Sequence, residues 1–179
     1  SIKNLHNPDS TKDFNSIFFK RIAYDEIFAN LLFLSKNKNK IKKIKKTFKK
    51  FKSALSNQLI QNLPYSLTNG QKKIINEINK DLNSNLRMFR ILQGDVGSGK
   101  TILAIIAALN SIEAGYQCGL MAPTSILAEQ HFKLLNELIL KSNLKIKIEL
   151  ITGKVDAKKR KQILHNLKNN KIDFLVGTH

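Results

Sequence analysis

Between residues 94 and 101 the chain reads Gly-Asp-Val-Gly-Ser-Gly-Lys-Thr. Glycines at 94, 97 and 99 permit the backbone to close a tight loop whose N–H groups turn inward, and such a nest binds phosphate oxygens. Lys100 adds a charge for the outer phosphates, and the Thr101 hydroxyl is suited to a Mg²⁺ ion. The spacing fits G-x-x-x-x-G-K-[ST]. Gly94, Asp95, Val96, Gly97, Ser98, Gly99, Lys100 and Thr101 are therefore the candidate nucleotide-binding residues. Lys100 and Thr101 carry the chemistry, and Thr101 is the candidate metal ligand. Such a loop captures phosphates; using them takes further groups.

A loop of this kind works only between two fixed elements. An apolar run with Phe89, Ile91 and Leu92 precedes it, and an alanine-rich apolar run from Ile102 to Leu109 follows. Strand, loop and helix are the expected order, with the positive end of the helix aimed at the phosphates. The pattern then alternates. Strands are expected at 88–93, 117–122, 145–151 and 172–177, and helices at 69–81, 99–114, 125–140 and 156–169. Alternating apolar strands and helices predict an α/β fold with a parallel sheet covered by helices.

The first third differs. Residues 1–62 hold no glycine and one proline, Pro8. Phe14, Ile17, Phe18, Ile22, Ile27, Leu31 and Leu34 recur at helical spacing, with Ser10 or Asp13 as N-cap. Ten lysines then fall between Lys36 and Lys52, where the helix either continues or breaks near Asn37–Asn39, and a short helix is expected from Ala54 to Gln61. The lysine run is either a solvated face or a track along DNA phosphates. Pro64 and Gly70 punctuate "LPYSLTNGQ", so the expected organisation is a basic helical linker over 1–62 and an α/β domain over 63–179.

The net charge is +18, with 31 Lys and Arg against 13 Asp and Glu. A polyanion, nucleic acid first, is the partner such an excess suits. Only Arg21, Arg87, Arg90 and Arg160 are arginine, and abundant Lys, Asn and Ile also follow from AT-rich coding. No apolar run approaches the roughly 20 residues of a membrane span, and "SIKNLHNPDS" lacks the features of a signal peptide. A cytoplasmic protein without a membrane partner is expected. Cys118, the one cysteine, lies in an apolar run and is expected to be a buried, unreactive thiol.

The motifs around the loop resemble those of superfamily 2 helicases. "LTNGQ" (67–71) looks like the Q motif, which implies that Gln71 reads the adenine edge and that ATP is the nucleotide; a side-chain amide donates and accepts in one plane. Tyr65 either stacks on the base or packs at the domain boundary. "MAPTSILAEQH" (121–131) resembles motif Ia, and "LITG" (150–153) and "VGTH" (176–179) look like motifs Ib and Ic. These imply DNA contacts from Pro123, Thr124, Thr152, Gly153 and Thr178. Together with "LHNP" and "RIAYDEIFANLL", the set is similar to the RecG-type helicases over essentially the whole chain.

That resemblance implies a partial RecA-like P-loop lobe, preceded by the linker that leaves a wedge domain, in a monomeric enzyme acting on branched DNA and stalled forks in recombination and repair. It also implies groups beyond this sequence: an Asp-Glu pair after the strand that follows "FLVGTH", a second lobe and its arginine finger. Asp173 precedes its strand and Glu149 lies within one, so neither matches the pair. The expectation is a fragment, consistent with Ser at position 1, that binds ATP and Mg²⁺ without hydrolysing ATP. Two alternatives stand beside it: another superfamily 2 translocase such as the transcription-repair coupling factor, and a non-catalytic nucleotide- or DNA-binding remnant.

Overall fold

The structure, a computed structural model, describes residues 17–43 and 50–178. It divides into two compact units, residues 1–45 and 46–179. Within the first, α1 (Ile17–Lys43) is one continuous helix. The lysine-rich stretch thus extends the helix past Asn37–Asn39, while the expected caps Ser10 and Asp13 lie outside the described residues. Ile17, Ile22, Ile27, Leu31 and Leu34 are exposed on α1. An i,i+4 ion pair between Arg21 and Asp25 (3.0 Å) and stacking of Tyr24 on Phe28 lie along its surface.

The second unit contains α2 (Ala54–Gln61), α3 (Asn69–Leu82), α4 (Lys100–Glu113), β1 (Cys118–Met121), α5 (Ser125–Lys141), β2 (Ile148–Ile151), α6 (Ala157–Lys168) and β3 (Phe174–Gly177). Its centre is α4. Ile102, Leu103, Ile105, Ile106 and Leu109 are buried on it, and each such side chain stabilises the fold by about 1.5–3 kcal/mol. α2 and α3 pack on α4, which in turn meets β1. Leu59 of α2 is buried in the same core as Leu135 of α5 and Phe174 and Val176 of β3.

The three strands are parallel in the order β1-β3-β2. Polar groups outside the ladder fix the sheet's starting edge. Asp173 accepts the Lys147 N–H through its carboxylate (2.8 Å), and its carbonyl accepts the Cys118 N–H (2.9 Å). Gln117 donates to the carbonyls of Leu167 and Ile172, both at 2.8 Å, which ties the end of α6 to the start of β3. Among the described residues, no helix is long and apolar enough to cross a membrane.

One expected element is not formed. Residues 88–93 do not make a strand. A strand requires neighbours for its backbone groups, and the described sheet ends at β1. The segment is held by a side chain instead. Arg90 forks onto α3, with Nη1 2.9 Å from Glu77 and Nη2 2.8 Å from Asp81, while Ile91 is 83% exposed.

Candidate functional site

The phosphate loop is shaped by two glycines. Gly97 and Gly99 take φ of 81° and 83°, the left-handed region that residues with a Cβ rarely adopt. Gly99 is also the N-cap of α4, so the loop runs directly into a helix N-terminus. Helix geometry leaves the N–H groups of that first turn without internal partners, and they serve an anion. Within the loop the Ser98 N–H donates to the Asp95 carbonyl (3.2 Å). Val96 stands at the exposed tip.

Lys100 folds back over this loop. Its Nζ donates to the carbonyls of Gly94 (2.7 Å) and Asp95 (2.6 Å). A Cβ built at Gly97 would meet nothing within 4 Å, so the loop is open at that position. These features fit the phosphates of a nucleotide. The Thr101 hydroxyl, in the first turn of α4, is the group that could hold a Mg²⁺ ion there. No group of three or more His, Cys, Asp or Glu that could hold a metal ion gathers among the described residues.

Gln71 joins the loop from another element. Thr68 caps α3 by accepting the Gln71 N–H (3.2 Å), and Gln71 Oε1 accepts the Thr68 N–H (3.0 Å), a reciprocal capping box. The other end of the same amide, Nε2, donates to the Ser98 carbonyl at 3.0 Å. Both polar atoms of Gln71 are therefore engaged with protein. Beside it lies a cleft of about 420 Å³, lined in part by Pro64, Tyr65, Leu67 and Lys72. Tyr65 is half exposed at its edge.

The residues expected to meet DNA are collected by strand register. Met121, Gly177 and Ile151 are aligned across the sheet, so β1, β3 and β2 end together. Pro123 and Thr124 follow β1, Thr152 and Gly153 follow β2, and Thr178 follows β3, all on one rim. The ladder extends into that rim: the Ala122 N–H donates to the Gly177 carbonyl (2.8 Å) and the Thr178 N–H to the Ile151 carbonyl (3.2 Å). The phosphate loop belongs to the same edge. α4 returns through a short turn to the start of β1, so its N-terminus lies at the strand-end side, where open α/β sheets bind ligands.

These residues are not equivalent. Thr124 is exposed and caps α5, its Oγ1 accepting the Leu127 N–H (3.3 Å). Pro123 and Gly153 are exposed, and Thr178 is half-buried. Thr152 is only 3% exposed, and its carbonyl accepts the Val155 N–H (3.1 Å). The expectation that Thr152 approaches DNA thus meets a side chain turned inward, and the accessible part of its turn is Gly153 and Lys154. Asp173 sits at the opposite end of the sheet, where its carboxylate accepts the Lys147 N–H, and Glu149 is within β2. Cys118 is half-buried where full burial was expected; its Sγ lies 3.4 Å from the Ala108 carbonyl, and this partial burial pushes its thiol up to about 11.

The Gln71–Ser98 bond was not anticipated from the sequence. The T-x-x-Q spacing of Thr68 and Gln71 signals the capping box, but the partner in the loop is a tertiary contact without a local signature.

A family model described as DEAD/DEAH box helicase matches residues 68–179. The chain is 39% identical to the ATP-dependent DNA helicase RecG of Aquifex aeolicus, over 99% of this chain and 23% of that protein. It is 40% identical to RecG of Bacillus subtilis, over 100% of this chain and 26% of that protein. It is 51% identical to RecG of Staphylococcus aureus over 67% of this chain and 17% of that protein. A solved structure described as RecG bound to a three-way DNA junction matches 89% of this chain and 22% of its own, with a TM-score of 0.79 and 40% identity. The chain thus spans about a quarter or less of the length of these relatives.

Proposed function

This chain belongs to the DEAD/DEAH box helicase family, and from that premise we propose that it is the ATP- and DNA-gripping part of the first motor lobe of a RecG-type helicase. Residues 63–179 make up the lobe portion and residues 1–62 the linker leading to it, whose last helix, α2, packs into the lobe's core. The intact enzyme would act in the cytoplasm as a monomer on branched DNA and stalled forks, in recombination and repair. The carrying observation is the common edge: three strands end in register, on the side from which α4, returning to the start of β1, begins with the phosphate loop. ATP bound there can act on the same rim that touches DNA.

In this reading the loop from Gly94 to Thr101 holds the ATP phosphates. Lys100 leaves the carbonyls of Gly94 and Asp95 for the β- and γ-phosphates, and Thr101 ligates Mg²⁺, which neutralises phosphate charge when bound. Gln71 turns part of its amide to adenine, with Tyr65 and its cleft beside the base. Pro123, Thr124, Gly153 and Thr178 face the DNA backbone, while Thr152 holds its turn from inside. In this reading the 179 residues bind ATP without turning it over; Asp173 accepts the Lys147 N–H at the start of the sheet and Glu149 lies within β2, which supports neither as the group that orients a water at the γ-phosphate.

Titration of the 179-residue chain with a fluorescent ATP analogue and Mg²⁺ tests this. Binding is expected for the wild type, and Lys100→Ala should weaken it about 10- to 100-fold, the worth of one charge-assisted contact to phosphate. Neither protein should release phosphate in the presence of branched DNA. Turnover that disappears in Lys100→Ala would overturn the non-hydrolysing part, and absence of ATP binding would overturn the site.

A further inference from the structure

We propose that the outer face of α6 is a second phosphate track, which receives the backbone of duplex DNA as it runs past the strand-end rim. The inference rests on the DNA-binding reading above and assigns a surface that reading does not use.

Lys158, Lys161, His165 and Lys168 are spaced three, four and three residues apart, so they form one stripe along α6. All four are exposed, on the side away from Ile163, the one buried residue of the helix. Lys154 and Lys171 are exposed just beyond its two ends. No carboxylate occurs from 157 to 172. Asp156, immediately before, is committed to capping the helix by accepting the Lys159 N–H (2.8 Å). Lys154 pairs with Glu129 at 3.4 Å. Among the described residues, none of the lysines in the stripe is in an ion pair.

Lys158 and Lys161 stand at i,i+3 spacing without a counter-charge between them, and such a like-charge pair works against the stability of the helix. A polyanion removes that repulsion and releases its own counterions. The stripe from Lys158 to Lys168 is about 15 Å long at 1.5 Å per residue. A strand winds about the duplex axis, so its phosphates lie further apart along the backbone than the ~3.4 Å axial step, and that length of backbone offers about two or three of them. Position supplies the direction. α6 starts beside the Thr152–Val155 turn on the rim and returns to the start of β3, so the stripe begins where Gly153 is exposed and leads away from it. A duplex touching the rim has one backbone laid along α6.

Binding of a labelled blunt duplex to the 179-residue chain, followed by fluorescence anisotropy across a KCl series, tests the track. The Lys158→Glu, Lys161→Glu, Lys168→Glu triple variant should bind at least roughly tenfold more weakly. Its slope of log K against log salt should be shallower by about 2.7, the release belonging to three phosphate contacts. Replacing the same lysines by arginine should preserve both, and in either triple the ATP titration should be unchanged and a cooperative thermal transition retained. Gly153→Asp, which puts a carboxylate on the rim where a Cβ meets nothing within 4 Å, reads the rim separately. If Gly153→Asp weakens duplex binding while the glutamate triple leaves the slope within about one of wild type, the track is wrong and the rim stands. Preference of the stripe for duplex RNA over duplex DNA, or a wild-type chain that binds no duplex, also overturns the track.

Discussion

Gln71 Nε2 donates to the Ser98 carbonyl at 3.0 Å while Gln71 Oε1 accepts the Thr68 N–H at the same distance. One side chain therefore closes the cap of α3 and steadies the loop that precedes α4. The two roles separate by substitution. Gln71→Ala removes both and should cost about 1–3 kcal/mol of stability, the sum of a lost cap and a lost hydrogen bond. Gln71→Glu keeps the acceptor for Thr68 but sets a carboxylate oxygen against the Ser98 carbonyl. It should melt within a few degrees of wild type and bind ATP about tenfold more weakly. Thermal melts and ATP titrations on both variants check this, and wild-type ATP affinity in Gln71→Glu would sink the idea.

Gly99 permits that contact. A Cβ there would lie 2.5 Å from Gln71 Nε2, and its φ of 83° is unfavourable for any residue with a side chain. Gly99→Ala should lose about 2–3 kcal/mol in urea unfolding, part from the left-handed backbone and part from the collision. Adding Gln71→Ala relieves only the collision. The double variant should thus be less destabilised than the two single losses added together. Strict additivity would mean that the two residues do not meet in solution.

The helices were legible because their signals are local. The expected 69–81, 99–114, 125–140 and 156–169 agree with α3 to α6 within one or two residues at each end. Glycine before Lys100, Thr124 before Ser125 and Asp156 before Ala157 all mark starts. The strands at 117–122 and 172–177 were legible too, whereas 145–151 contracts to Ile148–Ile151. The expected strand at 88–93 shows the limit. An apolar run announces that a segment can be a strand, but its ladder partner lies elsewhere in the chain, and Arg90 ties this segment to α3 instead. The phosphate loop was readable because its chemistry is carried by adjacent residues. The inward turn of Thr152 and the clasp from Gln71 to Ser98 depend on neighbours distant in sequence, and periodicity does not report them.

Cys118 should behave as a protected thiol. Burial raises it from 9.0 to about 11, so at neutral pH it is protonated and a poor nucleophile. A disulfide reagent should label the native chain far more slowly than the urea-unfolded chain at pH 8. The sign for stability follows. The folded state holds this proton more tightly than the unfolded state, so the thiol's contribution is fully present below about pH 9 and is lost as pH rises towards 11. Subtracting the stability curve of Cys118→Ala from that of wild type should leave a decline confined to that window. A flat difference would show that the thiol is not buried in solution.

Glu113 should control whether α2 stays docked. Its carboxylate accepts the Lys52 N–H at 2.7 Å and the Leu55 N–H at 3.2 Å, from the last turn of α4 to the start of α2. The residue at the N-cap position, Ser53, has φ of 60° and makes no side-chain cap bond, so Glu113 supplies from a distance what a local cap would. A negative charge also suits that helix end. Glu113→Ala should cost about 1–3 kcal/mol, since two backbone donors lose a charged acceptor. Glu113→Gln, which keeps one acceptor and loses the charge, should fall between the alanine variant and wild type. Hydrogen exchange gives the sharper readout. Amides of α2 should lose protection in Glu113→Ala while those of α4 beyond its first turn keep theirs, because α4 is buried by α3 and the sheet as well as by α2. Equal loss in both helices would mean that they unfold as one unit and that Glu113 acts on the whole core.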